Sequence, residues 1–366
     1  MKRLESLDAL RGFDMFFIMG GSSLIAALAA LFPDNTVWQW AGEQMRHAEW
    51  EGLTHHDTIF PLFLFIAGTA WPFSLARQRE KGFSQKDIIY KILRRGFMLI
   101  FLGWLYNGLL DFHLDTLRLC SVLSRIGMGW MLGALIYLSV KKERTLWYII
   151  AFILLGYWAV MAGIPSPDAP AGTDIFSKEG SIACYLDKVI LGPHSYKSNY
   201  DPEGLLSTIP AVATALLGMM AGQKLKEGKE SPTKKALALA VAGLGLAGLA
   251  WAWHFLFPIN KALWSSSFVC ATASYSLLML AFFYYIIDVK GWKHWDKFFV
   301  VIGMNSITIY MAQRFHLLDG LQHKLFDGLI ALCPDTWQQS AEEVSWIAIC
   351  WLFLYLLYRN KIFLKI

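Results

Sequence analysis

The sequence predicts an all-α fold, a polytopic membrane helical bundle of about ten transmembrane helices with both termini cytoplasmic, and three observations predict it. Of 366 residues, 56% are apolar and only 17% charged, with 16 Trp and 25 Phe, far from the balance of a soluble globular domain. Ten stretches approach the roughly 20 apolar residues that a spanning helix needs. The connections between them alternate in charge, as the positive-inside rule requires.

In order, the stretches fall near 7–31, 54–75, 90–110, 118–139, 146–163, 205–222, 235–256, 267–288, 298–315 and 343–358. One set of connections carries Arg77, Arg79, Lys81 and Lys86, then Lys141, Lys142 and Arg144, then the cations between Lys224 and Lys235. It continues with Lys290, Lys293 and Lys297 and ends with Arg359, Lys361 and Lys365. The other set is poor in cations and holds Asp111, Asp115, Asp168, Asp174, Asp187, Asp201, Glu203, Glu342 and Glu343. The basic set faces the cytoplasm and the acidic set faces outward. A net charge of +5 is thus mostly inner-loop basicity, with no nucleic-acid partner implied. The first stretch is full length without a small-residue cleavage site, so it is expected to stay as an anchor. No linker, repeat or low-complexity tract divides the chain, and residues 1–366 read as one domain. Two outward loops, 32–53 and 164–204, are long enough to build a lid or an acceptor site.

Cys120, Cys270 and Cys350 fall in or at spanning stretches, while Cys184 and Cys333 fall in outward regions and leave one disulfide open. Without Cys/His metal spacing, no metal is expected. Gly243-Leu244-Gly245-Leu246-Ala247-Gly248 spells a dinucleotide fingerprint, but it lies inside an apolar helix and reads as close helix packing through small residues. His55 and His56 read as riding an exposed first helical turn that Thr54 and Asp57 cap.

His47 opens the string His47-Ala48-Glu49-Trp50-Glu51-Gly52-Leu53-Thr54-His55-His56-Asp57, directly before the apolar run 58–71. An imidazole at the mouth of a bundle is a proton acceptor near neutral pH where water is partly excluded. Asp8 and Arg11, three apart, share a helix face and read as an interfacial salt bridge. Arg118 and Arg125, seven apart, read as one inward stripe of the fourth helix. Each arginine would cost about 2.5–3.5 kcal/mol at the bilayer centre, which calls for an anionic partner, either bundle carboxylates or a bound phosphate.

These residues carry a resemblance to the heparan-alpha-glucosaminide N-acetyltransferase family, membrane enzymes that move an acetyl group from cytosolic acetyl-CoA to a glucosamine on the other side. It begins in Arg3-Leu4-Glu5-Ser6-Leu7-Asp8-Ala9-Leu10-Arg11-Gly12 and continues through 47–54 with Asp57 and Phe60-Pro61. It recurs in Val122-Leu123-Ser124-Arg125-Ile126-Gly127, in Tyr185-Leu186-Asp187 with 191–196, and in Tyr200-Asp201-Pro202-Glu203-Gly204-Leu205. The last blocks are Pro258-Ile259-Asn260-Lys261-Ala262-Leu263-Trp264 and Gly303-Met304-Asn305-Ser306.

The resemblance places the family's active histidine on His47. There it acts as general base on the attacking amine or hydroxyl, or accepts the acetyl group itself and hands it on. Asp57, Asn260 and Asn305 join it as catalytic candidates. Where family members often carry an asparagine at the outer end of the first helix, this chain reads Gly20-Gly21-Ser22-Ser23, and Asn35 lies in an insertion. The donor to the thioester oxygen is then open among Asn260, Asn305, Ser22 and Asn35. Acetyl-CoA, the expected donor, needs cations for its phosphates. Lys91, Arg94 and Arg95 are expected at the inner mouth, with Arg118 and Arg125 deeper. A small carbohydrate acceptor is expected at Trp50, Tyr200, Asp201, Glu203, Lys261 and Trp264, since carboxylates bind hydroxyls or an ammonium and aromatic rings stack on sugars. Tyr200 to Glu203 read equally as the cap of the sixth helix, with Pro202 in its first turn. The chain starts almost at its first helix, without the luminal domain of the lysosomal enzyme, which leaves room for a simpler acceptor. The expected location is the bacterial inner membrane, in the lipid bilayer, and the apolar bundle surface accommodates a homodimer. A solute transporter on the same scaffold is the alternative, and a structural subunit of an envelope complex the third reading.

Overall fold

The computed structural model describes residues 4–228 and 230–364, so Arg3, Lys229 and Lys365 of the sequence reading lie outside the described residues. Among the described residues the chain is helical, with no strand and one isolated bridge between Pro165 and Ser181. Helix α1 (Glu5–Phe16) runs through a π-helical turn (Phe17–Gly21) into α2 (Ser22–Leu31), and α3 (Thr36–Gln44) follows. Next come α4 (His55–Glu80), α5 (Gln85–Tyr106), α6 (Val122–Ser139), α7 (Glu143–Gly163), α8 (Ile182–Leu191) and α9 (Thr208–Lys226). The last are α10 (Pro232–His254), α11 (Ser266–Phe283, extended by a π segment Tyr284–Val289), α12 (Asp296–Met304), α13 (Ser306–Arg314), α14 (Asp319–Ile330) and α15 (Asp335–Arg359).

Among the described residues seven helical runs are long and apolar enough to cross a membrane: Glu5–Leu31, His55–Glu80, Val122–Ser139, Glu143–Gly163, Pro232–His254, Ser266–Val289 and Asp335–Arg359. Three expected spans stand outside those seven. Helix α5 carries Lys86, Asp87, Lys91, Arg94 and Arg95 in its first half. Helix α9 is buried on nearly every side. The ninth stretch breaks at Asn305, whose ψ of 34° with φ of −133° separates α12 from α13. Caps agree with the sequence elsewhere: Thr54 and Asp57 form a capping box on α4, as do Ser84 and Asp87 on α5.

Small residues set the closest helix crossings. A Cβ on Gly218 of α9 would lie 2.2 Å from the Phe65 carbonyl oxygen of α4, and one on Gly68 of α4 would lie 2.3 Å from that of Ala215. Backbone against backbone at this range is how helices associate where lipid supplies little hydrophobic drive. The fingerprint-like glycines of α10 contribute less than expected. Gly243 abuts Leu278 and Ser274 of α11, but Gly245 and Gly248 have no atom within 4 Å of a would-be Cβ. Cys184 and Cys333 carry free thiols, which removes the disulfide left open by the sequence.

Near the chain termini, α1 and α12 cross the same way. A Cβ on Gly303 would lie 1.9 Å from the Asp8 carbonyl oxygen. Gly303→Ala is therefore expected to destabilise the detergent-solubilised protein by about 1–3 kcal/mol through overpacking, read as a lowered Tm.

Candidate functional site

Asp57, in the first turn of α4, organises the site. Its side chain is 1% exposed. Oδ2 accepts from the backbone N–H of Ala48 (3.1 Å) and Thr54 (3.3 Å) and from the Thr54 hydroxyl (3.0 Å). Oδ1 accepts from His47 Nδ1 at 2.7 Å and lies 3.4 Å from Lys261 Nζ. The loop 46–54 thus wraps around one carboxylate. Gly52, at a φ of 118° that favours glycine, donates its N–H to the Ile259 carbonyl at 2.8 Å and ties this loop to the α10–α11 connection.

That connection is over-determined. Asn260 Oδ1 accepts from Leu263 N (2.9 Å), Asn260 N donates to Ser265 Oγ (3.1 Å), and Trp264 is held at a left-handed φ of 49°. Lys261 projects from this turn, its Nζ 3.0 Å from Nδ1 and 3.4 Å from Nε2 of His47. Because Nδ1 faces the Asp57 carboxylate, we assign the proton there, which leaves the lone pair of Nε2 for an incoming proton. The imidazole is 54% exposed and Lys261 19% exposed. Burial lowers the Lys261 pKa below the ordinary lysine value, while the Asp57 carboxylate opposes that shift.

The other two histidines diverge instead of riding an exposed turn. His56 packs its ring 4.5 Å from that of His47 and meets the Ser22 hydroxyl at 3.3 Å through Nδ1. His55 turns to the Tyr275 hydroxyl, 3.1 Å from Nε2, and lies against Phe17.

A cavity of about 490 Å³ runs from this cluster into the bundle. His47, His56 and Lys261 stand at one end and Arg11, Arg95 and Asn305 toward the end that holds both termini, with Phe60, Phe63, Leu123 and Tyr310 among its walls. Arg11 and Ser22, which mark the two levels on the first helical run, are roughly 16 Å apart at 1.5 Å per residue. Arg11 NH1 lies 3.4 Å from both Asp8 Oδ1 and the Gly303 carbonyl oxygen. Arg95 stacks over Trp130 at 4.2 Å. A second cavity of about 750 Å³, lined by Lys91 and Arg94, shares Arg95, Ile307 and Leu364 with the first.

Several expected residues sit elsewhere. Arg118 lies outside α6, which starts at Val122, so it does not share a helix stripe with Arg125. It forks onto Asp201 (Nε to Oδ2 2.9 Å, NH2 to Oδ1 2.6 Å) and also bonds Glu203. Of the two partners left open for it, the structure supplies carboxylates, and those carboxylates are then engaged away from a sugar. Asp201 also accepts from Tyr196 N and Glu203 N, so it closes a turn ahead of α9 instead of capping that helix. Arg125 is fully buried, bonding the Gly204 carbonyl and the Ser207 hydroxyl and stacking over Trp264 at 4.8 Å; neither cavity reaches it. Trp264 is equally buried, between Phe60 and Phe268, and is a core residue.

Trp50 and Tyr200 meet edge to face at 5.5 Å, with Lys178 over both rings. Asn260 keeps a buried Nδ2 without a partner among the described residues, beside Lys261 in sequence. Asn305 belongs to the opposite end, where Nδ2 donates to the Ile362 carbonyl (3.0 Å) and Oδ1 accepts from Leu364 N (3.2 Å). Asn35 is spent as the cap of α3. Sequence reasoning missed the Lys261–His47 contact and the place of Arg11 in the cavity wall. The signal for Arg11 was present, a guanidinium two turns into an apolar helix, but it was absorbed by its spacing from Asp8.

These features define a polytopic helical membrane protein with imidazole, carboxylate and ammonium grouped at one end of an internal cavity. A family described as a domain of unknown function, DUF5009, matches residues 3–143. Heparan-alpha-glucosaminide N-acetyltransferase of Homo sapiens is 29% identical over 418 aligned positions, which take in all of this chain and 60% of the human protein. The Mus musculus protein of the same name is 28% identical, over all of this chain and 61% of its own length. The chain spans only about 60% of the length of those relatives.

Asp187 of α8 accepts from Leu205 N at 2.9 Å and Asp201 N at 3.4 Å. Burial raises its pKa from 3.8 to about 6, against those bonds. The native carboxyl therefore holds a proton that the unfolded chain has already released, so its contribution to stability falls as pH rises through that interval. Asp187→Asn is expected to flatten the pH dependence of Tm there, measured by scanning fluorimetry against the parent.

Proposed function

We propose that this protein is a transmembrane acyltransferase, one domain that moves an acetyl group from acetyl-CoA, bound at the end of the bundle holding the termini, to an amino sugar or related carbohydrate at the other. The termini end is read as cytoplasmic and the His47 end as extracytoplasmic, in agreement with the basic loops. The observation that carries the proposal is one continuous cavity with His47 and Lys261 at one end and Arg11 and Arg95 at the other. The names of the homologues support acetyl transfer and a glucosamine acceptor.

In this reading His47 Nε2 takes the proton from the acceptor amine or hydroxyl as that atom attacks the thioester carbonyl. The carbon–sulfur bond breaks and the proton leaves with the coenzyme thiol. Asp57 fixes the tautomer that exposes Nε2, and it stabilises the imidazolium that forms. The two-step route, with the acetyl group carried on His47, uses the same nitrogen. Lys261 supplies positive charge for the carbonyl oxygen as it gains charge, and Asn260 Nδ2 is the nearest amide in sequence. Arg11 and Arg95 hold coenzyme phosphate through charge-assisted bonds. Trp50 and Tyr200 offer rings to the acceptor's apolar face.

Purified protein incubated with labelled acetyl-CoA and glucosamine is expected to yield acetylated sugar. His47→Ala should abolish transfer, and Asp57→Asn should lower kcat by about a hundredfold or more while coenzyme binding persists. Transfer undiminished in His47→Ala would defeat the mechanism. Because burial depresses the Lys261 pKa, kcat/KM is expected to fall on the alkaline side at a pH below the ordinary lysine range. Lys261→Arg should move that limb upward.

A further inference from the structure

The second cavity has a polarity that acyl transfer does not use. It follows one side of α5 from Lys91 to Leu105, roughly 21 Å at 1.5 Å per residue. Its polar end carries Lys91, Arg94 and Arg95 of α5 with Ser74 and Gln78 of α4. Beyond Arg95 the lining turns apolar, through Met98, Leu102 and Leu105 facing Met311, Phe315 and Leu317.

The wall also concentrates unmet hydrogen-bonding capacity. Trp71 Nε1, Arg95 Nε, Thr308 Oγ1 and Gln78 Oε1 are buried without partners among the described residues, and all four residues line this cavity. Trp71 is itself only 3% exposed. Two neutral donors, Trp71 Nε1 and Thr308 Oγ1, beside the cations Lys91 and Arg94 call for an anionic group with several acceptor oxygens. A buried polar atom left unpaired costs about 1–3 kcal/mol, so a ligand whose oxygens accept from these donors is favoured beyond its charge.

We propose that this cavity is a binding site for an anionic phospholipid, its phosphate between Lys91 and Arg94 and one acyl chain along α5. The apolar lining from Met98 to Leu105 decides against a nucleotide and against the amide-bearing arm of coenzyme A, whose polar groups would lack partners there. Basic pockets between spanning helices are a recognised device for acidic headgroups. The site does not depend on acyl transfer, and Lys91 and Arg94 lie outside the cavity that reaches His47.

Native mass spectrometry of the full chain released from nanodiscs tests the proposal. From phosphatidylcholine doped with phosphatidylglycerol, one phosphatidylglycerol is expected to stay bound, and from pure phosphatidylcholine none. K91Q/R94Q should weaken retention roughly twenty-five-fold, two cations each contributing about fivefold. L102W, which fills the apolar end, should prevent retention, while coenzyme A and inorganic phosphate should not displace the lipid. Displacement by coenzyme A would make this the donor's nucleotide site, and displacement by inorganic phosphate would make it a simple anion site. Equal retention of both lipids, or none, would also overturn the proposal. Because K91Q/R94Q alters half-buried and exposed positions, the result stands if L102W does not fold.

Discussion

One carboxylate, Asp57, decides the shape of the candidate site. A buried charge is tolerated only where donors surround it, and Asp57 collects two backbone N–H groups, a hydroxyl, an imidazole and an ammonium. These donors come from the loop 46–54 and the α10–α11 connection, so charge neutralisation and assembly of the site are one event. His47 is half-exposed and would otherwise sample many rotamers. Its orientation is set by an atom that cannot itself be reached by solvent.

Charge is then partitioned through the bundle. Carboxylates ahead of α9 are matched at short range, as Asp201 and Glu203 are by Arg118. Arg95 differs, with a cation–π contact to Trp130 and an unpartnered Nε on the shared wall of two cavities. The first kind of pair holds the fold together. The second is what a protein presents when the counter-charge arrives from outside it.

The helical class was legible because composition and length constrain a membrane chain strongly, and each of the ten predicted stretches overlaps helix for most of its length, the ninth broken at Asn305. That break left no mark in the hydropathy pattern, since Gly303-Met304-Asn305-Ser306 reads as apolar helix with a polar interruption. The His47–Asp57 pair was legible as two members of one motif, but its bond depends on the loop closing back over α4. Residues far apart in sequence were harder. Lys261 is 214 positions from His47, and nothing local to either reports the other. Arg118 and Arg125 show the opposite failure: their spacing suggested a shared face, but the helix begins between them.

Asn305 has a consequence for the far end of the chain. Helical backbone is interrupted at membrane depth only where the freed groups line a cavity or find new partners, and this side chain recruits Ile362 and Leu364 as partners. Leu364 borders both cavities at their meeting point. A fusion or epitope tag attached behind it would pull directly on a side chain that both cavities share as wall.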